Sequence, residues 1–165
     1  MIKLLRTLRI GGADTPAYPR YAEDREWAVP ASFLFAQKDP DSLGHAERAA
    51  FESGFLSLGS FGYSAHVSAA EVSDEELEGA RLALARHLVE AGGVTDPAVA
   101  DEIAEQEIAY AVDLAASVPL YTLLTVQREL EESGEITETF AIVAALGAEA
   151  DERIWDDLEN NRDFS

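Results

Sequence analysis

The chain has 165 residues, 47% of them hydrophobic and 27% charged, enough to build and bury one core. It contains no cysteine, which excludes disulfides, thiolate metal sites and cysteine nucleophiles. Its net charge of −20 is carried by one half: residues 1–70 hold eight acids against seven Lys and Arg, and residues 71–165 hold 24 against five.

A polyanion is repelled by that second half, so neither nucleic acid nor an anionic membrane is an expected partner. The acidity reads either as solvated helix faces or as a docking face for a basic partner. The N-terminus runs directly into Met1-Ile2-Lys3-Leu4-Leu5-Arg6, without the apolar stretch of a signal peptide. A soluble cytoplasmic protein is the expectation.

Ile2, Leu4, Leu8 and Ile10 alternate with polar residues up to Gly11-Gly12, which predicts a first strand with Arg6 on its inner face. Residues 27–35 read as one extended segment kinked at Pro30, suited to a sheet edge. Asp39-Pro40-Asp41-Ser42 is turn chemistry leading into a short helix through Phe51. Residues 54–59 and 61–69 then look like two strands joined at Gly59-Ser60, with Ser64, His66 and Ser68 sharing a face.

Ser73-Asp74-Glu75-Glu76 is a capping box, opening a helix to about Ala91 with Leu77, Ala80, Leu84 and Leu88 on its buried stripe. Asp96-Pro97 starts a second helix that ends near Ser117. Residues 120–130 and 136–143 form a hairpin about Ser133-Gly134, and a short helix from about 148 to 160 precedes a polar tail, 161–165. This order predicts a single α+β domain over 1–165: a largely antiparallel sheet, two long helices on one face, a late hairpin and a short C-terminal helix.

Candidate chemistry comes from charges at apolar positions. At 100° per residue, Glu107 falls mid-stripe among Ala100, Ile103, Ala104, Ala111 and Leu114. Arg6, Arg128 and Glu138 likewise sit between apolar residues on inward faces. Such groups pair off to fix the register of sheet and helix, or they line a polar pocket in which Arg6 or Arg128 clamps an anion and Glu107 serves as general base. His66 is a second catalytic candidate. His45, His66 and His87 fit no metal-binding spacing, and no phosphate loop or nucleophile elbow occurs, so no metal and no cofactor is expected. Ile154, Trp155 and Leu158 on the last helix are candidate interface residues.

Lys3-Leu4-Leu5-Arg6-Thr7, Glu26-Trp27-Ala28-Val29-Pro30 and Ser32-Phe33-Leu34-Phe35 resemble the opening blocks of a proteobacterial family of small acidic proteins without assigned function. The resemblance implies a bacterial cytoplasmic protein with an adaptor or accessory role linked to metalloenzyme maturation, and it transfers no active site. The leading expectation is therefore a non-enzymatic interaction domain with a protein partner or a second copy. The alternative is a small-molecule-binding protein or hydrolase built on Arg6, Glu107 and Arg128.

Overall fold

The structure, a computed structural model, describes residues 1–8, 17–36 and 38–145. Seven strands, β1 (Lys3–Thr7), β2 (Trp27–Pro30), β3 (Phe55–Ser57), β4 (Tyr63–Ser64), β5 (Val67–Glu71), β6 (Thr122–Leu130) and β7 (Ile136–Ala145), form one antiparallel sheet in the order β4-β3-β2-β1-β5-β6-β7. Three helices, α1 (His45–Ser53), α2 (Asp74–Glu90) and α3 (Pro97–Ala116), complete an α+β fold. The segment expected to form a C-terminal helix, with Ile154, Trp155 and Leu158, and the tail lie outside the described residues.

The strand order forces the sheet to roll up. In a flat sheet β4 and β5 would be four inter-strand steps apart, roughly 19 Å. The chain passes from Ser64 to Val67, a reach of about 10 Å at full extension. The sheet therefore curls into a half-barrel, and Phe55 on β3 meets Phe140 on β7 with ring centroids 6.2 Å apart.

The helices fill this curl. α3 lies on β1, β2 and β5, α2 packs on α3, and α1 packs on β6. Four alanines, Ala100, Ala104, Ala111 and Ala115, are buried along α3 with Ile108, and their small side chains let the helix approach the sheet closely. Both long helices start as their caps dictate. The Ser73 hydroxyl accepts from the Glu76 N–H at 3.1 Å while Glu76 accepts from the Ser73 N–H at 3.2 Å, and the Asp96 carboxylate accepts from the Ala98 N–H at 3.0 Å.

Two local expectations differ from the observed chain. The segment after Pro30 leaves the sheet and forms a 3₁₀ turn, Ser32–Phe35, and β2 lies inside the sheet. Proline is tolerated there because β1 pairs β2 only at Ala28 and Trp27, so Pro30 extends past that ladder. Residues 61–69 form two strands: the Ser64 hydroxyl donates to the His66 carbonyl at 2.7 Å, a side-chain bond that competes with the ladder and turns the corner between β4 and β5.

Candidate functional site

Three of the four ionic residues at apolar positions, Glu107, Arg128 and Glu138, meet at one end of the half-barrel. Arg128 and Glu138 are direct cross-strand partners on β6 and β7, and Arg128 Nε donates to Glu138 Oε2 at 2.6 Å. Arg128 Nη1 donates to the Phe51 carbonyl at 2.9 Å and to the Ala50 carbonyl at 3.4 Å, both in the last turn of α1. The guanidinium, in a residue only 1% exposed, thus answers the negative end of a helix and ties α1 to the hairpin. Tyr110 on α3 donates from its hydroxyl to Glu138 Oε1 at 2.7 Å, and its ring packs edge-on against Phe140.

Glu107 stands one turn before Tyr110. Burial, and then the nearby Glu138 carboxylate, push its carboxyl up to about 7. Tyr110 is likewise raised, first by burial and then by its bond to Glu138. The structure therefore brings Glu107, Arg128 and Glu138 together and adds Tyr110. Tyr110 is one turn C-terminal to Glu107, a spacing that alone says nothing of a shared acceptor.

Arg6 is placed elsewhere. It is in register with Trp27 on β2 and Ser68 on β5, and Ser68 is in register with Leu123 on β6. Leu123 points to the opposite face from Leu124, Val126 and Arg128, so Arg6 and Arg128 lie on opposite faces of the sheet. His66 occupies the corner between β4 and β5, where its carbonyl accepts from the Leu8 N–H at 3.1 Å and burial lowers its pKa. Among the described residues no group of three or more His, Asp or Glu is placed to hold a metal ion, and no helix is long and apolar enough to cross a membrane.

Glu26 is a structural centre that the sequence pattern does not reveal. Its Oε2 accepts from the Ser60 hydroxyl at 2.7 Å and from the Glu23 N–H at 2.8 Å, and its Oε1 accepts from the Ser60 N–H. A Cβ on Gly59 would lie 2.2 Å from Glu26 Oε1, so any side chain at that turn must displace the carboxylate. Beside it an open cleft of about 310 Å³ is lined by Arg25, Trp27, Glu76 and Gly79. Its acids are committed to local bonds: Ser73 and the Trp27 side chain hold Glu76 below the ordinary carboxylate range.

The sheet ends at β7, which among the described residues pairs only with β6. Ile142 is 64% and Val143 54% exposed. Residues 139–145 carry no charge.

A family model matches residues 1–154, which include every residue of the cluster, the cleft and the edge. The chain belongs to the family of unknown function DUF6505. No curated protein sequence and no solved structure matches it. Membership of DUF6505 bears out the family resemblance of the opening blocks and leaves the reading of the site to its chemistry.

Proposed function

We propose that this chain is a non-enzymatic protein-interaction domain of accessory kind in the bacterial cytoplasm, and that it engages its partner by strand addition at β7. The observation that supports the reading is the sheet edge. An edge strand offers a row of unpaired N–H and C=O groups, and proteins commonly block such edges with Lys, Pro or a covering element. β7 is ten residues long and carries neither Lys nor Pro, and its Ile142 and Val143 face solvent. Extended peptides bind this kind of edge through main-chain hydrogen bonds, with side-chain pockets adding selectivity. The buried cluster supports the same reading from the other side, because Arg128 is engaged by helix carbonyls and Glu138.

The test is affinity capture from lysate of the natural host, comparing the native chain with an Ile142→Lys/Val143→Lys variant. Both substitutions are at exposed positions and leave the core intact. The expected result is a stoichiometric protein bound by the native chain and lost by the variant. Identical captures, or none from the native chain, would overturn strand addition.

A further inference from the structure

The hairpin that carries β7, the edge strand among the described residues, also constrains the chemistry of what binds there, an inference that rests on strand addition at β7. Its two ends differ. Residues 139–145 are uncharged, whereas the turn at the other end exposes Glu129, Glu131, Glu132 and Glu135. Arg128, the hairpin's one cation, is 1% exposed and committed to Glu138 and the end of α1, so it offsets none of these acids. The same end of β7 also faces Glu107, whose carboxyl lies close enough to Glu138 to be repelled by it.

A strand added to β7 lies about 4.8 Å from it and advances about 3.3 Å per residue. Having covered the uncharged run, it passes Glu138 and reaches the turn within two to four residues, where the lateral spacing of about 4.8 Å is inside the screening length of roughly 8 Å at physiological salt. We infer that the partner segment is a β-prone stretch of Thr, Val or Ile, about seven residues long, continuing into a block of Lys or Arg that lies against the Glu129–Glu135 turn.

A second copy of this chain fits less well. Antiparallel self-pairing sets each acidic turn against the uncharged end of the other strand, where no cation answers it. Parallel pairing brings the two acidic turns together. Each copy also brings a net charge of −20.

The experiment uses the full chain and three labelled synthetic peptides read by fluorescence anisotropy. One is an alternating Thr/Val run ending in a lysine block; the second ends in a glutamate block; the third carries the lysine block on a Gly/Pro run that cannot form a strand. The expected result is that the first binds at least about tenfold tighter than either of the others, weakens with salt, and is lost with Ile142→Lys/Val143→Lys. Glu132→Lys/Glu135→Lys leaves the turn with Glu129 and Glu131 against two lysines and should abolish the preference between the first two.

Equal binding of the lysine-ended and glutamate-ended strands would overturn the basic partner while leaving strand addition standing. Equal binding of both lysine-block peptides would reduce the effect to bulk charge and overturn the proposal. If no peptide binds but lysate capture still depends on Ile142 and Val143, the edge survives and the assigned chemistry falls. A concentration-dependent dimer of the chain alone, abolished by the same lysine pair, would assign the edge to a second copy.

Discussion

Arg128→Met tests whether the buried cluster holds the fold together. The substitution keeps an unbranched apolar stem and removes the guanidinium. Glu138, whose side chain is 10% exposed, then loses its 2.6 Å partner while Glu107 remains close by. The carbonyls of Phe51 and Ala50 lose donors at 2.9 and 3.4 Å. Removing one member of a buried ion pair costs about 3–5 kcal/mol, because the remaining charge stays desolvated. The two vacated carbonyls bring the expected loss to the upper part of that range.

At about 2–4 °C per kcal/mol for a chain of this size, the melting temperature should fall by roughly 10–15 °C. The urea midpoint should drop by roughly 2 M with little change in slope. Arg128→Met/Glu138→Leu removes both charges and should recover most of the loss, to within about 1 kcal/mol of the native chain. A single substitution costing less than about 1 kcal/mol, or a double variant no more stable than the single, would refute the account.

Glu107 sets a pH dependence of the opposite sign to the usual carboxylate. Its folded-state pKa, about 7, lies above the unfolded value, so the folded chain holds the extra proton between roughly pH 4.3 and 7 and loses stability as pH rises through that window. Glu107→Gln should match the native chain near pH 4, exceed it at pH 8, and flatten the slope in chemical denaturation; a native chain whose stability rises across the window would contradict this. Glu26→Ala should cost about 2 kcal/mol through three lost acceptor contacts, and Gly59→Ala should cost a similar amount by displacing the same carboxylate. Because both act on one contact, the double variant should fall well short of the sum, which a double-mutant cycle measures. Ser73→Ala should remove about 1 kcal/mol, readable in a thermal melt, by opening the capping box of α2.

Elements specified by local chemistry were legible in the sequence. The Ser73 and Asp96 caps open α2 and α3 where the motifs place them, and Ser133-Gly134 turns β6 into β7, with Gly134 at φ +90°. What escaped the sequence either leaves the apolar alternation untouched or depends on partners far apart in the chain. The break within residues 61–69 comes from Ser64 bonding the His66 backbone, which does not disturb the alternation of apolar residues. Glu26 lies 34 positions from Ser60, and nothing in either local pattern announces the pair.

The charged candidates show the same division. Period-2 and period-3.6 patterns place Glu107, Arg128 and Glu138 as charges on otherwise apolar faces, and the structure brings these three side chains together. The pattern could not say that Arg6 faces the other way, because face depends on register: Arg6 to Ser68 to Leu123 fixes it, one residue out of phase with Leu124 and Arg128.

The distribution of charge explains why the edge of the sheet, more than its interior, is the surface to test. Inside, Arg128 Nε and Nη1 are engaged by Glu138 and by the end of α1 while Nη2 has no hydrogen-bond partner, so the one buried cation among the described residues is used in holding three elements together. Outside, among the described residues, the same hairpin pairs no cation with its turn acids and gives its last strand a neighbour on one side only. Among the described residues the protective device on β7 is an irregularity at Val143, where Leu123 pairs with Ala144 and Leu124 with Ile142, so that Val143 has no opposite residue. Such a bulge twists the strand end away from a flat template and leaves the ladder regular from Ile136 to Ile142. A strand added over residues 139–145, as proposed, follows the bulge at one end and meets the regular run at the other, beyond which lie the glutamates. Charge then sets the proposed orientation, with the basic end of the partner at the turn.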